Sequence, residues 1–200
     1  LRINDHQVAL IIADVSGKGT TAAFHMSQMK GIFHSLAQNE VDPREFMIKS
    51  NKALVHCLER GSFISAIYFV IDSATKTIHY SRAGHCPVLY YCAKENRVNY
   101  LKDSGAALGM VKDQSYAKLI HTNSMKYESG DVMVLYTDGI TEAKNRKGEE
   151  FGYELLEQSV LKVTSHDPKA IQEQLIADLY DYSGTMEIND DYTTMIVRFK

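Results

Sequence analysis

The sequence has no apolar run long enough to cross a bilayer: its longest, Val8–Ala13, falls far short of the roughly 20 residues a membrane helix requires. No secretory leader opens at residue 1, and no initiator Met stands there. The chain begins almost at once on a strand-like pattern and reads as a piece of something longer. Cysteine is scarce. Cys57, Cys86 and Cys92 are an odd number without a Cys-x-x-Cys pair, which speaks against a disulfide framework and for a reducing, cytoplasmic setting. Basic runs are missing too, and 22 Lys and Arg against 25 Asp and Glu leave a net charge of −3. That balance disfavours a nucleic-acid binder held by phosphate contacts. No internal repeat, low-complexity stretch or linker interrupts the chain.

What is present is a globular composition, 44% hydrophobic and 24% charged, at odds with intrinsic disorder. Surface scaling gives roughly 9,500 Å² folded against roughly 33,000 Å² unfolded, so about 70% of the surface can be hidden in one domain. Val8–Ala13 reads as a strand covered on both faces and ends at Asp14. Past the Ser16–Gly19 break, Ala22, Met26, Met29, Phe33, Leu36 and Ala37 form a helical stripe over 20–38. A second helix starts at Asp42 as N-cap, with Pro43 in the first turn and Glu45 completing an Asp-x-x-Glu box. Its expected buried face is Phe46, Ala53, Leu54, Cys57 and Leu58, with Gly61 as the stop. Strands are expected over 63–71, 77–82, 87–92, 98–101, 116–122 and 131–137, helices over 153–163 and 168–182, and a last strand over 192–199. Helices early and late with strands between them predict an α+β fold of packed sheets flanked by helices.

Three places set Asp at a strand end: Asp14, Asp138, and the pair Asp190-Asp191. Each has a plain reading, as a helix cap, an Asp-Gly turn, or turn chemistry before a strand. Brought together they mean more. Two unit charges about 5 Å apart cost roughly 3 kcal/mol at an effective dielectric of about 20, so such a cluster needs a cation. Hard oxygen donors with no Cys or His set select Mg²⁺ or Mn²⁺, and two such ions sharing a carboxylate suit phosphate-ester hydrolysis. The loop that follows Asp14 competes with this reading. A P-loop fails, since no Gly-Lys pair has a Gly five residues ahead, but Gly17-Lys18-Gly19-Thr20-Thr21-Ala22 fits the looser dinucleotide pattern. Against it, no second strand precedes Glu40 or Asp42, and Asp14 would set negative charge beside a pyrophosphate. The other reading of Gly17 and Gly19 is a turn that lets backbone approach an ion or substrate. The eight His are scattered, and His25/His34 and His79/His85 lack ligand spacing. A Ser/His/Asp triad has no Gly-x-Ser-x-Gly elbow to stand on. Met26 and Met29 read as core, and Lys18 and Arg82 as solvated charges.

In chain order, seven segments carry a likeness to a known family. They are Ala13-Asp14-Val15-Ser16-Gly17-Lys18-Gly19; Phe63-Ile64-Ser65-Ala66 with Ile71-Asp72; Arg82-Ala83-Gly84-His85-Cys86-Pro87; Ala107-Leu108-Gly109-Met110; Leu135-Tyr136-Thr137-Asp138-Gly139-Ile140-Thr141-Glu142-Ala143; Gly148-Glu149-Glu150-Phe151-Gly152; and Asp190-Asp191-Tyr192-Thr193. Together they resemble the metal-dependent protein serine/threonine phosphatases (PPM, the type 2C class). The nearest branch is the bacterial one of the sporulation stage II phosphatase and the phosphatases of sigma-factor partner switching. The resemblance implies an α-β-β-α sandwich of two mainly antiparallel sheets flanked by helices, with two Mn²⁺ or Mg²⁺ ions in a cleft at one edge. By position, Asp14 would bridge both ions, the Val15 carbonyl would hold one, and Asp138 and Asp190 the other, with Asp191 in reserve if the register slips by one. No side chain would become phosphorylated, because metal-held solvent attacks in line. The helices near Thr20 and Asp42 resemble the pair that switches in this branch under an upstream sensor or partner.

One departure stands out. The family carries a further Asp on a strand just before the point where this chain starts, and Asp5 is no substitute. Without that strand one metal loses a carboxylate and a sheet edge is left open to homodimerisation or strand exchange. The expectation for this chain is then weak affinity at that site and weak or no activity. By resemblance, the leading reading is a cytoplasmic phosphoserine/phosphothreonine phosphatase domain, the output of a larger regulator, acting on a phosphorylated anti-sigma-factor antagonist. No nucleic-acid or membrane contact is expected. The alternative is a non-catalytic, protein-binding pseudophosphatase module on the same fold.

Overall fold

The computed structural model describes residues 1–39, 42–184 and 191–200. In chain order its elements are β1 (Gln7–Val15), α1 (Thr20–Leu36), α2 (Pro43–Leu54), β2 (Ile64–Asp72), β3 (Thr77–Ala83), β4 (Val88–Cys92), β5 (Arg97–Leu101), β6 (Asn123–Lys126), β7 (Val132–Tyr136), α3 (Asp138–Thr141), α4 (Gly152–Lys162), α5 (Pro168–Ser183) and β8 (Thr194–Arg198). They belong to two compact units, one of residues 1–85 and 103–127, the other of 86–102 and 128–200. Each unit holds one four-stranded antiparallel sheet with helices against it, the α+β arrangement expected.

The first sheet runs β1-β2-β3-β6. Strand alternation divides its residues between two faces. Ala9, Ile11, Ala13 and Val15 of β1 join Ile64, Ala66, Tyr68 and Val70 of β2 on the helical face, packed with Met29, Phe33, Phe46, Met47 and Leu54. Phe46 stacks on Tyr68 with ring centroids 3.8 Å apart. Ile12, Ile67 and Phe69 point to the opposite face and are buried as well, which explains why β2 reads as an almost unbroken apolar run. Leu1 and Ala9 exchange hydrogen bonds of 2.9 and 2.8 Å, and Arg2 bridges Val8. The outer edge of β1, expected to be open, is thus paired at its start by the chain itself.

Helix starts follow the sequence closely. Asp42 accepts from the N–H groups of Arg44 and Glu45, with Pro43 at the first position. Glu45 does not close a capping box. Its carboxylate takes the Arg44 guanidinium at 2.9 Å, and that guanidinium also donates to the Ala117 and Ile120 carbonyls. The buried faces differ in part from expectation. On α1, His25 replaces Met26 in the series that continues through Met29 and Phe33. On α2, Met47, Ser50 and Asn51 are buried while Ala53 and Cys57 are exposed, and the helix ends at Leu54, well before Gly61. The strand expected over 116–122 is a 3-10 turn over Gln114–Lys118, capped by Asp113 accepting from Ser115. Tyr116 and Ile120, both buried, are four apart, a helical spacing; the strand follows as β6.

The second sheet runs β5-β4-β7-β8. Leu89 and Tyr91 of β4 and Val132, Val134 and Tyr136 of β7 pack with Leu156, Val160, Ile171, Leu175 and Leu179 of α4 and α5. Just before β7, the buried Asp131 carboxylate accepts from the Tyr90 hydroxyl at 2.6 Å and from the N–H groups of Ala93 and Glu128 at 2.8 Å each. Burial, then this hydrogen bond, pushes the Tyr90 phenol well above its ordinary pKa. Asp167 caps α5, and Gly184 ends it in the left-handed conformation at φ 65°. Among the described residues no helix is long and apolar enough to cross a membrane.

Candidate metal centre

The first unit supplies Asp14, the penultimate residue of β1, half-buried, followed by the buried Val15. Asp14 does not cap α1: Gly19 is the N-cap and no side chain bonds there. In the β1–β2 register Asp14 lies directly opposite Ser65. Facing residues of an antiparallel pair project to the same side, so both side chains lie on the face away from the helices. Ser16 continues the ladder, its N–H donating to the Phe63 carbonyl at 3.0 Å and its hydroxyl accepting from the Phe63 N–H at 2.9 Å. Gly17 and Gly19 follow at φ 90° and 81°, conformations that favour glycine.

The dinucleotide reading of this loop fails on topology. β1 is paired antiparallel with β2, and among the described residues there is no parallel strand–helix–strand unit to present a pyrophosphate to the helix. Ser65 Oγ lies 2.9 Å from His85 Nδ1, and His85 is only 1% exposed. With Asp14 opposite Ser65 the three residue types of a Ser/His/Asp triad are present, but the serine and not the histidine stands between the other two, which is not the order a triad needs. Arg82 is half-buried rather than a solvated charge. It donates from Nη1 to the Asp103 carbonyl at 2.8 Å.

The second unit supplies Asp138, half-buried and first residue of the short helix α3, so Asp138-Gly139 is not a hairpin turn. Register β7–β8 pairs Tyr136 with Thr194. It is prolonged by the Thr137 N–H donating to the Thr193 carbonyl at 3.1 Å and the Thr193 N–H donating to Thr137 Oγ1 at 2.9 Å. Asp138 therefore stands at the same sheet end as the segment from Asp191. The approach is tight: a Cβ on Gly139 would lie 2.4 Å from the Asp191 carbonyl oxygen. Asp191 is exposed; Asp190 lies outside the described residues. Among the described residues no three His, Cys, Asp or Glu side chains gather as a metal-binding group. The candidate donors of each unit, the Asp14 carboxylate and Val15 carbonyl in the first and the Asp138 and Asp191 carboxylates in the second, are all hard oxygens. They fit Mg²⁺ or Mn²⁺ and not a thiolate-bound metal.

Sequence reading assigned no role to Ser65, which faces Asp14 across the β1–β2 ladder, or to His85, which lies against Ser65. The Ala-Gly-His run was visible, but nothing in its spacing links it to a serine two strands of chain earlier.

Phosphoserine phosphatase RsbU of Bacillus subtilis (strain 168) is 29% identical over 198 residues, covering 96% of this chain but only 56% of RsbU, so the chain spans little more than half of that relative. Among solved structures, the PP2C phosphatase domain with a fragment of the regulatory domain of SpoIIE from Bacillus subtilis superimposes with a TM-score of 0.82 at 18% identity, covering 100% of this chain and 56% of that one. RsbX in complex with magnesium does so with a TM-score of 0.68 at 18% identity, covering 96% and 81%. These likenesses show the PP2C phosphatase fold. Residues 4–200, nearly the whole chain and every segment described above, match the family Stage II sporulation protein E, to which this chain therefore belongs.

Proposed function

We propose that the chain is a metal-dependent phosphatase domain that hydrolyses phosphoserine or phosphothreonine on a regulatory protein, the substrate being an anti-sigma-factor antagonist. The observation that carries this reading is the placement of Asp138 and Gly139 against the Asp191 backbone, in a chain matching the SpoIIE family from residue 4 to 200. Asp14 and the Val15 carbonyl are assigned as ligands from the first unit, and Asp138 with Asp190, or Asp191 in its place, from the second. Two Mn²⁺ or Mg²⁺ ions, when bound, acidify a water and neutralise charge on the phosphoryl group. The chain's own part is to hold hard oxygen donors on rigid strand ends, Asp14 by the β1–β2 ladder and Asp138 by the Thr137–Thr193 bonds.

The two units are taken as one domain, because each is assembled from separate stretches of chain and neither is a continuous segment. A cytoplasmic setting is supported by three free cysteines. The regulatory partner is a protein that acts on α1 and α2.

The test is hydrolysis of a chromogenic phosphate ester and of a phosphoserine peptide with Mn²⁺ and with chelator. Turnover, weak in this chain, is expected only with Mn²⁺, and Asp138→Asn should abolish it. Saturating Mn²⁺ should also raise Tm by about 5–10 °C, the effect of about 2.7 kcal/mol at about 100 times Kd, and Asp138→Asn should remove that rise. Mn²⁺ binding without turnover would favour the non-catalytic module. Stabilisation by NAD in place of Mn²⁺ would overturn the metal reading.

A further inference from the structure

The run Ala83-Gly84-His85 takes an unusual path. After β3 ends at Ala83, Gly84 bridges Ala66 of β2 in the parallel sense. Gly84 has φ 71°, and a Cβ there would press on Ala107 at 3.1 Å. A glycine is required to lay the chain this close, and the residue it delivers beside β2 is His85. The imidazole is 1% exposed and its Nδ1 lies 2.9 Å from Ser65 Oγ. Ser65 in turn is the cross-strand partner of Asp14, on the same face of the sheet. Cβ atoms of such a pair sit about 4.5–5.5 Å apart. Burying an imidazole is costly unless it is hydrogen-bonded. Here its bond fixes the rotamer of the one side chain directly opposite a candidate metal ligand.

Resting on the metal reading above, we propose that Ser65 and His85 are positioning residues for Asp14. His85 locks the Ser65 hydroxyl, and the locked hydroxyl holds the Asp14 carboxylate in the orientation that takes the cation. Ligating carboxylates are generally oriented by hydrogen-bonding partners whose loss costs 10–100-fold in metal affinity. Neither Ser65 nor His85 touches the metal or the substrate in this role. The family-motif histidine is thereby given a task that runs through its Nδ1.

Mn²⁺ affinity measured by titration calorimetry on the chain tests this directly, with Tm recorded for every variant. Ser65→Ala should weaken Mn²⁺ binding by about tenfold or more while leaving the metal-free Tm close to wild type, and Ser65→Thr should restore affinity. His85→Leu should match Ser65→Ala. His85→Asn, which can place a nitrogen near the Nδ1 position, should recover much of the loss. Ser81→Ala is the control: Ser81 is buried on β3 with no hydrogen-bond partner for its hydroxyl, so its removal should leave affinity unchanged. Should His85→Leu fail to fold, Ser65→Ala still decides the matter. Wild-type affinity in Ser65→Ala, or an equal loss in Ser81→Ala, overturns the positioning role and leaves the phosphatase reading standing. A wild-type chain that takes no Mn²⁺ overturns that reading, and this one with it.

Discussion

At the scale of single residues, the stability of the second unit turns on Asp131. Its carboxylate satisfies three donors, from Tyr90, Ala93 and Glu128, in a site 2% exposed. Asp131→Ala leaves those donors buried and unpaired and should cost about 3–5 kcal/mol, whereas Tyr90→Phe removes one bond and should cost about 1–2 kcal/mol. Urea denaturation of both variants measures the difference. His166 gives a pH dependence. Its ring stacks on Tyr91 with centroids 3.9 Å apart, in a left-handed residue at φ 47°. Burial chiefly, and then Arg198, lower its pKa below the ordinary histidine value, against a backbone hydrogen bond at Thr164 that raises it. The unfolded chain therefore binds a proton at His166 before the folded chain does, and stability falls as pH drops below about 6.5 toward the lowered value. His166→Asn, which tolerates the same backbone, should shrink the loss of Tm between about pH 7.5 and about pH 5.5.

Elements were legible where a local signal settles them. Asp42-Pro43 starts α2 as read, because a cap and a fixed φ act within one turn. Buried faces were less legible. His25 and Asn51 are polar residues in apolar series: Asn51 donates to the Val111 carbonyl and accepts from Gly109 N–H, partners about sixty residues away that no local pattern displays. The 3-10 turn at Gln114–Lys118 was misread as a strand for a similar reason, since Tyr116 is held by the Ala106 carbonyl. The junction of β7, α3 and β8 leaves little room beside Gly139. Gly139→Ala puts a Cβ 2.4 Å from the Asp191 carbonyl oxygen and must push that segment away. The expected outcome is a loss of about 1–3 kcal/mol together with Mn²⁺ affinity weakened by about tenfold or more. Denaturation and calorimetry on the same preparation read both, and unchanged affinity would detach the Asp191 segment from the site.

For the molecule as a whole, class and element order followed from hydrophobic period and turn residues, since burial on one or both faces of a sheet writes itself into the chain. Asp14, Asp138 and the Asp190-Asp191 pair were picked out by their strand ends. Strand ends alone do not say which of them share a site, because strand order depends on pairings between residues far apart, such as Asp14 with Ser65 and Tyr136 with Thr194. Division into two units was hidden altogether, since the chain leaves the first after His85, returns at Asp103 and leaves again after Tyr127.

That back-and-forth route constrains how the protein is made. During synthesis β4 and β5 emerge together, but β4's other neighbour, β7, arrives only at Val132–Tyr136, after the chain has gone back to add β6 to the earlier sheet. A nascent chain paused short of Tyr136 carries Leu89 and Tyr91 on a strand with one flank unclaimed, a species prone to aggregate or to be held by chaperones. The first sheet has all four strands once Lys126 is made, whereas the second waits for β8 at Thr194–Arg198.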